Sequence, residues 1–287
     1  MADPKKYIPL LYLVKYISAI ILTFFYSTAI AQNENWDTYM AKFGNKPGSV
    51  LVDLALMDNA PDKKYPNLVI TGPRAHKCNK DGLPNTDEID QLEEILDATG
   101  SFLTGVTPKV LVGTLTYNCE RVNYYYVKDT VGIRNALNRL YTRTYKDYKY
   151  AISIKSDPDW TTYRTFLYPD DTMLNWMEND KVITKLIQSG DSLTQPRDIV
   201  FHIGFRTEAE CDSFATFVSG KGYSTKALQM ALKSDNVTDF PWTANVSKRA
   251  LVKMDTINAM AAELKKAAKQ YHGTYDGWQA PLMPKER

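Results

Sequence analysis

From Arg197 to Gln279 the apolar residues switch between the period of a strand and the period of a helix, and the order of those switches leaves few folds open. "RDIVFHIGFRT" alternates, with Phe201, Ile203 and Phe205 on one side and Val200 and His202 on the other. "EAECDSFATFVSGKG" carries Ala209, Phe214, Phe217 and Val218 at helical spacing, and Gly220 or Gly222 stops it. "YSTKALQMAL" and "TANVSKRALVKM" read as strands. "DTINAMAAELKKAAKQYHG" reads as a helix that Asp255 caps and Gly273 ends. "TYDGWQAPLM" closes the run as a strand. The last strand is expected within the sheet, against the helices. Tyr275 and Trp278 are then packed rather than left at a fraying chain end.

This order is the split βαβ plan, an antiparallel sheet with helices on one face. The first half fits the same plan behind an extra leading strand, "SVLVDLAL". "NLVITGP" is a strand, and Ile89, Leu92, Ile95 and Leu96 mark a helix that Thr86 caps and Gly100 ends. A hairpin turns near Asn118, a second helix carries Ile133, Leu137, Leu140 and Tyr141, and "YKYAISIKSD" closes the unit. The expected fold class is α+β, with two tandem ferredoxin-like (βαββαβ) domains over residues 32–155 and 190–287. Residues 156–189, punctuated by Pro158 and Pro169, connect them, with a middle that has helical character.

The N-terminal stretch has another character. Lys5, Lys6 and Lys15 precede an apolar run from Tyr16 to Tyr26, and Ala29 and Ala31 follow at the spacing of a cleavage site. Residues 1–31 therefore read as a secretory signal cut after Ala31, and the chain as exported to periplasm or exterior. The alternative is an uncleaved membrane anchor, for which the uninterrupted run is short. No span is expected in the mature chain. Removing residues 1–31 takes away Lys5, Lys6, Lys15 and Asp3, which lowers the formal charge from +2 to 0. A neutral chain lacks the basic excess of a nucleic-acid-coating protein.

The cysteines are Cys78, Cys119 and Cys211. Export permits a disulfide, and Cys78 with Cys119, both in the first half, is the expected pair. Unpaired thiols are the alternative. No motif for a nucleophile elbow, phosphate loop or zinc helix occurs, and no metal or cofactor is expected. "SGKGYS" reads as a helix stop and a tight turn. His76, His202 and His272 are isolated from one another, and His202 reads as solvent-facing or hydrogen-bonded. Asp157, Asp159, Asp170 and Asp171 sit beside prolines, where carboxylates shape turns. An uncharacterised hydrolase using a carboxylate/His site between the domains (Asp157, Asp159, His202) is one alternative function. An RNA-binding module with Tyr124, Tyr125 and Tyr126 as a stacking face near Arg134, Arg139 and Arg143 is another. Asn236-Val237-Thr238 and Asn245-Val246-Ser247 match the glycosylation acceptor pattern.

Gly190-Asp191, Pro196-Arg197, Phe205, Phe214, Gly222 and the terminal Tyr275-Asp276-Gly277-Trp278 resemble the regulator of ribonuclease E activity B family over residues 186–280. Asp81-Gly82-Leu83-Pro84, Asp157-Pro158, Trp160, Tyr163 and Leu167-Tyr168-Pro169 resemble the domain of unknown function 695 family over residues 34–170. The first resemblance implies a ferredoxin-like regulator that binds a protein, ribonuclease E in that family, and performs no chemistry. An exported chain cannot reach a cytoplasmic ribonuclease, so the mode transfers and the partner does not. The expected partner is another protein, not nucleic acid. The residues expected to meet it are Trp160, Tyr163, Tyr275, Asp276 and Trp278.

Overall fold

The computed structural model describes residues 34–230 and 239–284. The apolar N-terminal run with its cleavage signal and the Asn236 acceptor lie outside the described residues. The chain forms two compact units, Met1–Arg164 and Thr165–Arg287. Both are mixed α+β, each with an antiparallel sheet.

In the first unit β1 (Trp36–Phe43) and β2 (Lys46–Asp53) form a hairpin. Then come β3 (Asn67–Arg74), α1 (Thr86–Thr104), β4 (Lys109–Tyr117), β5 (Glu120–Val127), α2 (Ile133–Thr144) and β6 (Lys149–Ser156). The sheet order is β1-β2-β4-β5-β3-β6. Two strands lead where the sequence reading placed one. The second ends at Asp53 because that carboxylate accepts the Ala55 N–H at 3.1 Å and starts a 3-10 helix, Leu54–Asn59. The β4–β5 turn falls at Asn118 and Cys119, both at positive φ (50° and 67°), the tight hairpin that Asn favours. Helix α1 runs past Gly100 to Gly105, and Asn85, not Thr86, precedes it. A Cβ on Gly100 would sit 3.0 Å from the Tyr125 hydroxyl, so this glycine serves close packing and not helix termination.

Strand β5 is buried on both faces from Val122 to Val127. Helices α1 and α2 cover one face, with Leu92, Ile95, Leu103, Ile133 and Leu137 against Val69, Tyr125 and Val127. On the other face Trp160, which follows β6, stacks on Tyr126 with ring centroids 4.2 Å apart. This packing explains the near-continuous apolar run of β5, because only a strand covered on both faces loses its polar alternation.

In the second unit α3 (Asp171–Gln188) precedes β7 (Arg197–Phe205), α4 (Glu208–Ser219), β8 (Ser224–Met230), β9 (Trp242–Ala250), α5 (Met254–Gln270) and β10 (Thr274–Gln279). The sheet order is β10-β7-β9-β8, antiparallel throughout. Asp170 caps α3, its carboxylate accepting the Met173 N–H at 2.8 Å, and Thr207 with Glu210 forms a capping box on α4. Phe201, Ile203 and Phe205 pack against Phe214, Val218, Ile257 and Leu264, as the alternation predicts. On α4 the buried face is Cys211, Phe214 and Val218, whereas Ala209 is exposed. Lys253, not Asp255, precedes α5, and Tyr271 rather than Gly273 ends it.

The last strand is an edge strand, not an interior one. A bulge between Tyr275 and Gly277 pairs Tyr275 with Ile203 and Trp278 with Phe201. Ile203 and Phe201 both face the helices, so the bulge turns Tyr275 and Trp278 to one side. In a regular strand residues three apart point to opposite faces. Gly277 takes φ +123°, a conformation L side chains rarely adopt. Trp278 is thus buried on an edge strand, and Asp276 is exposed at the bulge.

Candidate functional site

The terminal motif is anchored from two directions. Trp278 Nε1 donates to Asn179 Oδ1 of α3 at 2.8 Å, and Asn179 Nδ2 donates to Asn258 Oδ1 of α5 at 2.8 Å. Further on, Arg197 and Asp191, both fully buried at the side chain, form an ion pair. Arg197 Nη2 donates to Asp191 Oδ1 at 2.9 Å, and Nη1 donates to Asp191 Oδ2 and to the Pro281 carbonyl. Asp191 also accepts the Leu193 and Met283 N–H groups at 2.8 and 2.9 Å. The Arg197 hydrogen bonds, against the cost of burial and helped by the two backbone donors, hold the Asp191 carboxyl down at about 2. The pair clamps the C-terminal segment onto the start of β7.

The other expected contact residues are also built into packing. Trp160 is 2% exposed, its Nε1 donating to the Tyr65 carbonyl at 2.9 Å, and Tyr163 is fully buried, its hydroxyl donating to the Asp53 carbonyl at 2.8 Å. Neither ring presents a surface, because each fills the second face of the first sheet. Trp278 is likewise interior, and Tyr275 is half-buried, so of the expected contact residues only Asp276 is exposed. Cys78 and Cys119 form a disulfide, with Cα atoms 5.8 Å apart. It ties the loop before α1 to the β4–β5 turn. Cys211 is free and buried, and burial, with Asp212 and Glu208, pushes its thiol up to about 11.

The groups weighed for chemistry stand in ordinary roles. Asp157 accepts the Thr161 and Thr162 N–H groups and the Tyr126 hydroxyl, at 2.8, 2.9 and 2.8 Å. Burial pushes its carboxyl up, but the bonds from Thr162, Tyr126 and Thr161 outweigh it and leave it below the usual range. Asp159 is exposed, and Asp170 is a helix cap. His202 lies on the sheet face away from the helices, its Nδ1 2.6 Å from Asn245 Oδ1. That bond engages the second acceptor asparagine on a paired strand. His76 packs at a tilt against the Tyr148 ring, centroids 4.2 Å apart, and its Nε2 lies 3.0 Å from the Asp147 carbonyl. Among the described residues no three His, Cys, Asp or Glu side chains are grouped to hold a metal. Tyr124, Tyr125 and Tyr126 are all buried, which removes the stacking face an RNA-binding reading needs.

A surface feature that the sequence reading missed lies on the helical layer of the second unit. Helices α3 and α5 enclose an open groove of about 600 Å³. Leu174 and Trp176, the latter 37% exposed, supply its apolar part. Lys265 at the rim is occupied, bonded to Glu178 at 2.7 Å and set 5.1 Å over the Tyr275 ring. Lys266 and Lys269 line the same groove. Asn175 is 7% exposed, and its buried Oδ1 has no hydrogen-bond partner among the described residues. The available signal was "LNWMEND", where Trp176 stands close to Asn175, Glu178, Asn179 and Asp180.

Residues 34–168 match the family of unknown function DUF695. Residues 176–280 match the family Regulator of ribonuclease activity B. Among curated proteins none matches the chain. Among solved structures, an unknown protein from Galdieria sulphuraria aligns with 75% of this chain and 98% of its own, at 11% sequence identity and a TM-score of 0.21. That likeness is too low to carry an argument.

Proposed function

We propose, from the match of residues 176–280 to Regulator of ribonuclease activity B, that this chain is a non-catalytic protein-binding regulator that works outside the cytoplasm. The match is the observation that carries the reading. Strand order supports it. In the second unit β7-α4-β8-β9-α5-β10 gives the sheet β10-β7-β9-β8, and in the first unit β3-α1-β4-β5-α2-β6 gives β4-β5-β3-β6. Each reads as a ferredoxin-like unit, the first extended by the β1–β2 hairpin. The placement of Asp157 and His202 in capping and strand bonding fits a scaffold for recognition rather than acid–base chemistry.

Export rests on the N-terminal charge and apolar pattern and gains support from the Cys78–Cys119 disulfide, since such bonds persist in oxidising compartments. A ribonuclease confined to the cytoplasm is then not the target. Two measurements on the full chain in an expressing cell test the reading. Fractionation with thiol trapping should place the chain outside the cytoplasm, with Cys78 and Cys119 unavailable to alkylation and Cys211 reactive after unfolding. Crosslinking in intact cells should give a defined protein adduct. A cytoplasmic chain with three reactive thiols would defeat the export reading, and the absence of any protein adduct would defeat the regulator reading.

A further inference from the structure

We propose that the α3–α5 groove is the docking site of the regulator, and that its occupant is an acidic segment of a partner protein carrying an apolar side chain next to its carboxylates. The inference rests on the protein-binding reading and names the surface and the partner's chemistry. Three features of the groove converge. Trp176 and Leu174 offer an apolar contact on a helix face that is otherwise polar. Lys266 and Lys269 carry ammonium groups that meet no carboxylate among the described residues, whereas Lys265 is spent on Glu178. Asn175 Oδ1 is a buried acceptor without a donor among the described residues.

The last feature selects the ligand. A buried amide oxygen left unpaired costs stability, and a native chain keeps such a group where something else supplies the hydrogen bond. A simple anion has no donor to give it. A peptide has carboxylates for the two lysines, an apolar side chain for Trp176 and backbone N–H groups for Asn175 Oδ1, which a rotation of that amide brings to the surface of the groove it lines. Nucleic acid could also meet the two lysines through its phosphates, so it stands as the competing occupant that the test separates. The neighbouring groove beside α4 shares Lys266 but lacks Lys269, Trp176 and Asn175. Its Lys221 is paired with Glu263 at 3.2 Å, and none of the side chains lining it has a buried polar atom without a partner.

The test uses the full chain and a fluorescent peptide in which Glu-Glu flanks Leu-Phe on both sides. Comparison peptides replace Glu by Gln or Leu-Phe by Ala-Ala, and oligouridine serves as the nucleic-acid probe. Binding of the first peptide should fall about tenfold or more in the Lys266→Glu/Lys269→Glu double variant. It should persist in Lys221→Glu, whose site is the other groove. Asn175→Leu should weaken binding and at the same time raise the thermal midpoint, because it removes an orphaned acceptor. A photocrosslinking residue at position 176 should capture a cellular protein through an Asp/Glu-rich segment, and the lysine double variant should abolish that adduct.

A lowered midpoint for Asn175→Leu, oligouridine binding tighter than the peptide, or a captured segment without acidic residues would overturn the proposal. So would peptide binding indifferent to the groove variants. If the chain keeps its cellular adduct in every groove variant, the groove assignment falls while the regulator reading stands. If no protein is captured from any exposed position, both fall.

Discussion

Replacing Asp191 by Asn removes the charge that balances a guanidinium with no solvent exposure. In the native chain Arg197 meets both Asp191 oxygens, and the same carboxylate accepts two backbone N–H groups from Leu193 and Met283. An asparagine keeps one acceptor oxygen and points its amide hydrogens at donors. Breaking one side of a buried pair costs about 3–5 kcal/mol, against a domain stability of about 5–15 kcal/mol. The pH dependence gives a second magnitude. A carboxyl held at about 2, against 3.8 when free, favours the folded state only while it is ionised. That stability is complete above pH 4 and is lost as pH falls through 2, for a total of about 2–3 kcal/mol. Urea unfolding from pH 7 to pH 2 measures both effects, and the difference between wild type and Asp191→Asn cancels the other depressed carboxylates, Asp157 and Glu263. Hydrogen exchange in residues 197–205 and 274–284 should rise in the variant, because the clamp joins those segments. A destabilisation below about 1 kcal/mol, or an acid limb unchanged by the substitution, would refute the reasoning.

Other outcomes follow from the same packing. Removing the disulfide with Cys78→Ala/Cys119→Ala opens a link over 41 residues. On chain entropy that should cost the first unit about 4 kcal/mol in urea unfolding, matched by reduction of the wild type. Trp278→Ala should cost about 3–5 kcal/mol. Trp278→Phe keeps the ring but strips Asn179 Oδ1 of its donor, so calorimetry should find about 1–3 kcal/mol lost. Gly72→Ala would drive a Cβ into the Arg121 carbonyl and to within 2.7 Å of Val122 Cα across the β3–β5 pair. It should destabilise the first unit by about 1–3 kcal/mol through overpacking, read as a lower midpoint in urea unfolding, and leave the second unit unchanged.

The strands and helices of the second unit were legible because each carries its own period, as Phe201, Ile203 and Phe205 show against His202. The β1–β2 hairpin was half missed. "WDTYMAKF" pairs with β2, but Trp36, Tyr39, Met40, Ala41 and Phe43 do not alternate with polar residues as a half-buried strand does. Trp160 and Tyr163 were read as contact residues because sequence cannot distinguish an aromatic that waits for a partner from one that fills a sheet's second face. Asn175 was invisible for a related reason. Whether an amide has found its hydrogen bond is a property of three-dimensional neighbours and not of spacing.

What the chain determines locally is the order of its elements, since period, caps and turns act over a few residues and need no distant partner. The tertiary structure decided which faces those elements cover. It placed β10 at an edge yet buried Trp278 through the bulge at Gly277, and it set Arg197 against Asp191 across the C-terminal segment. Those outcomes depend on register and burial, and both are fixed by contacts between residues far apart in sequence.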